Sequence, residues 1–222
     1  MTEASKAKAP GHRIKQKRGQ KTYNRLVETG FKLLQQQELE AITIADLTRA
    51  AGYSVGAFYA RFRSKDEFFD AMIVEHIAHR TKARSEILAA APDDELVHAL
   101  IEETVTYYWK RRRFWRAALM RSIRDPGFWE PLRRLGLEFG DLLVARVVKR
   151  TQRPLTKEED ANIRFAFQLL LGTINNAIIN RPGPVFIGQA QFVANMARAF
   201  RLVSEYDRLM STPQNSRRKP TA

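Results

Sequence analysis

Two short predicted helices joined by a tight turn that begins with a glycine constrain the fold of this chain more than any other feature of its sequence. Thr43, with Asp46 three residues later, favours an N-cap and a helix over residues 44–51. Gly52 then ends that helix, because glycine readily adopts the left-handed conformation that commonly terminates one. Ser54 favours the N-cap of a second helix over residues 55–62. The sequence therefore predicts a tight helix-turn-helix.

Longer helices flank this pair. Apolar residues from Tyr23 onwards recur at helical spacing and predict a first helix. Ser64 and Glu67 form an S-x-x-E capping box, which predicts the start of a fourth helix. In such an arrangement the second short helix can enter a DNA major groove while the first braces it across the backbone. We therefore predict a helix-turn-helix DNA-binding domain over residues 23–64.

The rest of the chain keeps the helical period. No segment alternates usefully at period two, and the prolines lie where helices should start or stop. We predict an all-α fold, in which a helical-bundle ligand-binding and dimerisation domain covers residues 65–210 and the segments 1–22 and 211–222 are disordered. Its predicted helices span residues 65–89, 93–110, 111–124, 131–150, 157–180 and 188–210.

Positive charge is concentrated at the two ends of the chain. The formal net charge is +14, and residues 1–22 alone contain seven basic side chains and one acidic. Residues 211–222 add three basic groups, whereas residues 66–210 are nearly balanced, with 22 basic and 19 acidic. A basic arm beside a small domain is typical of contacts with a nucleic-acid backbone. A solvated, solubilising tail is the alternative.

Composition excludes several classes of site. The chain has no cysteine, which excludes disulfides, thiolate metal sites and cysteine nucleophiles and permits a reducing compartment. No apolar stretch is long enough to span a membrane, and the first twenty residues lack the apolar core of a signal peptide. We therefore expect a cytoplasmic protein with no membrane association.

Residues 43–69, TIADLTRAAGYSVGAFYARFRSKDEFF, resemble the DNA-binding region of the TetR family. The shared features are the alanine-glycine turn, Tyr59 late in the recognition helix, Phe62 three positions later, and the Ser-Lys start of the next helix. The resemblance covers about residues 23–72, and beyond them the chain matches only in length and helical layout. It implies a homodimer that represses transcription from palindromic double-stranded DNA and is released by an unidentified small molecule.

The resemblance and local chemistry together select the DNA-contacting residues. Lys65, in the first turn of the fourth helix, and Tyr59 are predicted to contact phosphates, although a core role for Tyr59 is the alternative. Thr43 and Ser54 are helix caps first, and a phosphate contact from either hydroxyl would be additional.

Base reading is assigned to the start of the recognition helix and to an arginine beyond it: Tyr53, Val55, Gly56, Ala57 and Arg61. Many relatives have a hydroxyl residue where Ala57 stands, so apolar contact and DNA shape are expected to contribute. The arm could add minor-groove contacts through Arg13, Lys15, Lys17 and Arg18, or only non-specific attraction to phosphates.

The predicted domain over residues 65–210 contains the predicted dimer interface and the predicted ligand-binding site. Residues 157–180 are apolar around most of the helix, which indicates that other helices pack against it on two sides. Together with the final helix they resemble the four-helix dimer interface of the family. A simple hydrophobic core is the alternative. Aromatic residues are abundant in the other helices, as in apolar ligand cavities and also in ordinary cores. The candidate ligand-binding residues are Trp115, Phe139, Phe167, Gln168 and Asn175.

Two other functional classes remain as alternatives. An enzyme is disfavoured because the four histidines do not assemble into a metal site and no nucleophile elbow or phosphate-binding loop is present, so we expect no catalysis, metal or cofactor. His76 and His79 are interpreted as core or solvent-facing. The remaining alternative is a basic protein that binds nucleic acid or acidic membranes non-specifically through its tails.

Overall fold

The computed structural model describes the backbone of residues 10–211 and the side chains of residues 19–211. Over that range the fold is all-α and contains no strand, which confirms the predicted fold class. The helices are α1 Pro10–Leu33, α2 Ile44–Ala51, α3 Val55–Tyr59, α4 Lys65–Ala90, α5 Leu96–Lys110, α6 Arg112–Arg124, α7 Glu130–Thr151, α8 Lys157–Ile179, α9 Ala190–Ser204 and α10 Tyr206–Ser211. Short 3-10 turns occur at Leu39–Ala41 and Pro126–Trp129.

The chain divides into two compact units within α4. The first unit ends at Glu75 and the second begins at His76, whereas the sequence placed the boundary after Ser64. The difference arises because the first turns of α4 belong to the core of the first unit. Phe68 and Met72 on those turns are both buried. Helix α4 therefore contributes residues to both units.

An aromatic cluster holds the first unit together. Phe58 on α3 is fully buried, and its ring centroid lies 5.3 Å from that of Phe62 and 5.7 Å from that of Phe68. The Tyr23 ring of α1 packs 5.4 Å from Phe62. At Gly30 a Cβ atom would lie only 2.6 Å from the Phe68 ring, so glycine permits α1 to approach α4. Rigid aromatic packing therefore fixes α3 relative to α1 and α4.

Helix α1 begins earlier than the sequence indicated. We predicted a disordered arm up to residue 22 and a helix from Tyr23, but α1 starts at Pro10. Proline is accepted in the first turn of a helix, and residues 12–18 are mostly good helix formers, so no signal stops the helix from extending. The predictions for residues 1–9 and 212–222, and for the side chains of Arg13, Lys15, Lys17 and Arg18, lie outside the described residues.

The final predicted helix, residues 188–210, is two helices. Glu205 adopts a left-handed conformation with φ of 51° and separates α9 from α10. Beyond the break Tyr206 and Leu209 are buried, and the Tyr206 hydroxyl donates to the Asp93 carbonyl oxygen at 2.9 Å. Tertiary packing accounts for the break, because glutamate is itself a good helix former and gives no warning in the sequence.

Helix α8 has two apolar faces. One face is buried within the second unit, where the Phe167 ring lies 4.8 Å from that of Phe200 on α9. The other face exposes Phe165, Leu169 and Ile179 to between 38% and 49%. In the described part of the chain, no helix has the length and apolar character needed to cross a bilayer.

Candidate functional site

The turn between α2 and α3 is built by local hydrogen bonds. The Thr43 hydroxyl accepts a bond from the Asp46 backbone N–H at 3.0 Å and donates to the Asp46 carboxylate at 2.6 Å. Gly52 ends α2 with φ of 77°, and the next N–H, that of Tyr53, donates to the Thr48 carbonyl oxygen at 2.9 Å. Because the Thr43 hydroxyl hydrogen is directed at Asp46, its role is that of a cap.

The first turn of α3 presents small side chains to solvent. Ser54 caps it by accepting the Ala57 N–H at 3.2 Å, as the sequence predicted. Val55 is 42% exposed and Gly56 is exposed, while Tyr53 and Ala57 are half-buried. The buried side chain of Phe58 fixes the helix to the core of the first unit. Because the exposed side chains of this turn are small, another molecule can approach its backbone closely.

Tyr59 is a surface residue. Its side chain is 55% exposed and its ring meets Phe58 edge-on, with 5.4 Å between centroids. Its hydroxyl makes no hydrogen bond to any residue from 19 to 211. This excludes the core alternative and leaves the hydroxyl free to contact a partner.

Arg61 has a structural role that the sequence did not reveal. Its Nε donates to the Gly19 carbonyl oxygen of α1 at 3.2 Å, and its Nη1 donates to the Ala60 carbonyl oxygen at 2.8 Å. A Cβ atom at Gly19 would approach the guanidinium to 3.0 Å, so glycine keeps this contact open. Arg61 lies beyond the end of α3, and these bonds favour fastening α3 to α1 over the base reading that we predicted.

Lys65 is half-buried in the first turn of α4. Its Nζ donates to the Glu40 carbonyl oxygen at 3.3 Å, linking α4 to the 3-10 turn at Leu39–Ala41. Burial lowers the pKa of Lys65, and the nearby carboxylates of Glu40 and Asp66 oppose that shift. An ammonium group has three N–H donors, so this bond leaves two for a phosphate.

The two glycines of the turn give a matched test of the first unit. Gly52→Ala is expected to lower the free energy of unfolding by about 1 kcal/mol, because alanine is strained at positive φ. Gly56→Ala is expected to be neutral or to stabilise by roughly 0.5 kcal/mol, because its Cβ would meet only Ser54 Oγ at 3.8 Å in a helix. Urea unfolding measures both variants, and equal effects would contradict the turn geometry.

The second unit contains a cavity of about 680 Å³. Four of the five predicted ligand-binding residues line it, namely Trp115, Phe167, Gln168 and Asn175. Trp115 Nε1 donates to Asn175 Oδ1 at 2.7 Å, which orients both side chains. The fifth, Phe139, does not line the cavity, because its buried ring packs 4.3 Å from that of Phe167 instead.

The cavity wall also contains charged residues that the sequence did not indicate. Arg84 of α4 and Arg164 of α8 both line it. Arg164 is neutralised by Asp160 and Asp141, whose carboxylates each lie 2.7 Å from its guanidinium. Charged residues on helices usually indicate a solvated face, so the sequence offered no signal that Arg84 points inward.

His76 is a core histidine. It is 1% exposed, its Nδ1 lies 2.9 Å from the Tyr107 hydroxyl oxygen, and its ring stacks 5.3 Å from that of Trp115. Burial holds the pKa of His76 well below 6.5, and Arg80, Arg84, Arg111 and His79 add positive charge around it. Among residues 19–211, no three histidine or carboxylate side chains cluster closely enough to hold a metal ion.

Acid is expected to destabilise the second unit through His76. With a lowered pKa the folded state binds fewer protons than the unfolded state, so stability is complete above about pH 6.5 and falls below it. The expected slope is up to about 1.4 kcal/mol per pH unit. His76→Phe should flatten the stability profile between pH 6.5 and 5. An unchanged slope in that variant would contradict the assignment, and His98→Phe, at an exposed position, is the control.

The first unit matches a known family. The family model described as bacterial regulatory proteins, tetR family, matches residues 26–72. Over 47 residues the chain is 43% identical to an uncharacterised HTH-type transcriptional regulator, YwcC of Bacillus subtilis (strain 168). That alignment covers 21% of each chain, so this chain spans about a fifth of the length of its curated relative.

Solved structures share the fold over most of the chain. GusR of Salmonella enterica superposes with a TM-score of 0.61 at 18% identity, covering 83% of this chain and 95% of that one. A tetR-family transcriptional regulator from Streptomyces coelicolor gives 0.60 at 14% identity, covering 86% and 87%. The fatty acid degradation regulator FadR of Bacillus halodurans gives 0.56 at 15%, covering 89% and 96%. Residues 26–72 therefore match the tetR family of bacterial regulatory proteins, and the chain as a whole shares the fold of these solved structures.

Proposed function

We propose that the protein is a homodimeric transcription regulator that binds a palindromic operator through α3 and is released from it by a small molecule. The observation that carries the proposal is the exposed first turn of α3, held by Phe58 in a domain of the tetR family. Small side chains on a rigid helix allow the backbone to approach base edges in a major groove.

The proposed DNA contacts divide into two classes. Tyr53, Val55, Gly56 and Ala57 approach base edges, and since they offer few hydrogen-bonding groups, methyl contacts and DNA shape carry much of the specificity. The Tyr59 hydroxyl and the Lys65 ammonium contact phosphates and fix the register of the helix. Thr43 and Ser54 shape the turn as caps.

The exposed face of α8 is the proposed dimer interface. Phe165, Leu169 and Ile179 lie on one helical stripe. Leu202 of α9, on the neighbouring helix, is 68% exposed. A second copy of the chain would cover this apolar surface, and twofold pairing matches a palindrome with half-sites about one helical turn apart.

The cavity in the second unit is the proposed sensor site. Its volume suits a drug-sized ligand, and its wall is mostly apolar with a few polar groups. Helix α4 carries Lys65 at one end and Arg84 near the other, so ligand binding can act on the helix that begins beside the DNA contacts. If ligands that bind in the cavity leave the affinity for DNA unchanged, this coupling is refuted.

Selection of DNA sites from random duplexes at physiological salt tests the proposal. The wild-type chain is expected to enrich a palindrome, and Tyr59→Ala and Lys65→Ala are expected to lose it. Lys82→Ala is the matched control, because Lys82 is an exposed lysine of α4 in the second unit.

The alternative of a non-specific basic protein gives the opposite result. It predicts binding without an enriched motif, falling only with salt and with removal of the basic residues at the amino terminus. Substitution of Arg13, Lys15, Lys17 and Arg18 by glutamine is preferable to deletion, because residues 10–22 belong to α1.

A further inference from the structure

Arg84 is a buried cation with almost no compensation. It is 2% exposed, and its one hydrogen bond within residues 19–211 runs from Nη1 to the Leu135 carbonyl oxygen at 3.4 Å. Its Nε has no hydrogen-bond partner, and no described carboxylate lies within 4.0 Å of its guanidinium. The Phe139 ring also lies against it, with its centroid 4.1 Å from Cζ.

Arg80, one turn earlier on α4, is a buried arginine of the same unit whose charge is balanced by a carboxylate. It is also fully buried, but its guanidinium forms an ion pair with Glu103 and donates to the Thr104 hydroxyl at 3.1 Å. Glu103 is therefore already engaged by one arginine. The two arginines differ in a second way, since Arg84 lines the 680 Å³ cavity and Arg80 does not.

A buried charge without a counter-charge is strongly unfavourable, so its position in a cavity wall needs a reason. Burial lowers the pKa of Arg84 to about 10; the positive charge of Arg80 adds to that shift, and Tyr108, Glu103 and Tyr107 oppose it. The group therefore stays charged at neutral pH. The remaining arginines of the wall already have partners: Arg133 is bonded to Glu130, and Arg164 is bonded to Asp160.

We propose that the cavity binds an organic monoanion whose carboxylate pairs with Arg84 and whose apolar or aromatic body lies among Trp115, Trp129 and Phe167. This rests on the ligand-sensing function proposed above and names the class of ligand. A planar guanidinium matches the two oxygens of a carboxylate. A single uncompensated positive charge suits one negative charge, so a phosphate dianion fits the cavity less well.

Ligand binding to the full-length protein tests this without any DNA. Trp115 and Trp129 line the cavity, so quenching of tryptophan fluorescence reports occupancy. The probes are 2-naphthoate, 4-phenylbutyrate and decanoate, each compared with its neutral primary amide. Acids are expected to bind at least about 10-fold more tightly than their amides, the range of a charge-assisted hydrogen bond.

Arg84→Met is expected to abolish the preference for acids and to melt no lower than the wild type, because it removes an uncompensated buried charge. Arg84→Gln keeps hydrogen-bonding groups without the charge and must lose the preference as well, which covers a failure of the methionine variant to fold. Arg164→Met is the matched control, since Arg164 lines the same cavity but is paired, and it should keep the preference.

Three results would overturn the inference: amides that bind as tightly as acids, an acid preference that survives in both Arg84 variants, or no quenching by any acid of the panel. A failed operator selection leaves this binding test unaffected. Equal affinities for acids and amides would leave the DNA-binding proposal intact, so the two failures are distinguishable.

Discussion

Gly56→Glu is expected to abolish sequence-specific DNA binding while leaving the first unit folded. The substitution places a carboxylate on the exposed first turn of α3, where it would face DNA phosphates and fill the space that a base edge needs. The isolated fold should tolerate it, because the new Cβ meets only Ser54 Oγ at 3.8 Å. A negative charge near a helix N-terminus is also favourable.

The expected loss is at least about 1000-fold in operator affinity, which is the lower end of the gap between specific and non-specific binding. Fluorescence anisotropy with a selected duplex measures it, and thermal unfolding checks the fold. Gln36→Glu is the matched control, because it adds the same charge at an exposed position just after α1. A variant that keeps full affinity would show that α3 does not enter the groove.

Leu169→Glu is expected to convert the proposed dimer into monomers. Leu169 is 40% exposed in a single chain, so a carboxylate there can stay hydrated in the monomer. In the proposed interface the same carboxylate would be buried without a partner, which is strongly unfavourable. Sedimentation at micromolar protein concentration measures the change. Operator affinity should fall by roughly 100-fold or more. In a dimer, binding of one subunit to its half-site raises the effective concentration of the other subunit at the second half-site, and monomers lose this effect.

Ile123→Glu is the control for the dimer prediction. Ile123 lies on α6 and is 74% exposed, more than Leu169, but it is not part of the α8 stripe. This variant should remain dimeric and bind the operator normally. If both variants stay dimeric, the exposed face of α8 is not the interface; if both become monomers, the effect is not specific to that face.

Local signals in the sequence predicted the helix-turn-helix, although α3 ends at Tyr59 and not at residue 62. Thr43 and Ser54 cap their helices as expected, and Gly52 adopts the left-handed turn. These features depend on residues within a few positions of one another, so spacing and residue type suffice to find them. Most of the long helices were predicted for the same reason, since hydrophobic periodicity is a local pattern, but the start of α1 and the break at Glu205 were not.

Features that depend on tertiary contacts could not be predicted. Arg61 reaches the carbonyl oxygen of Gly19, which is 42 positions away, and Lys65 reaches that of Glu40. Nothing in the sequence distinguishes Arg84 from an exposed arginine, but it is buried in the structure. The Phe139 ring packs against Phe167 and does not line the cavity. In each case the partner is distant in sequence, and periodicity carries no information about it.

Directed cleavage of DNA from α3 is the most direct test of the central claim that the first turn of this helix lies in the major groove. The chain has no cysteine, so Val55→Cys provides one attachment point for an iron-chelate cleavage reagent at an exposed position. On a selected operator, we predict two clusters of cuts about one helical turn apart, one for each half-site. Reagent attached through Ile123→Cys on α6 should give neither cluster. Uniform cleavage along the duplex, or none, from the Val55 position would contradict the account.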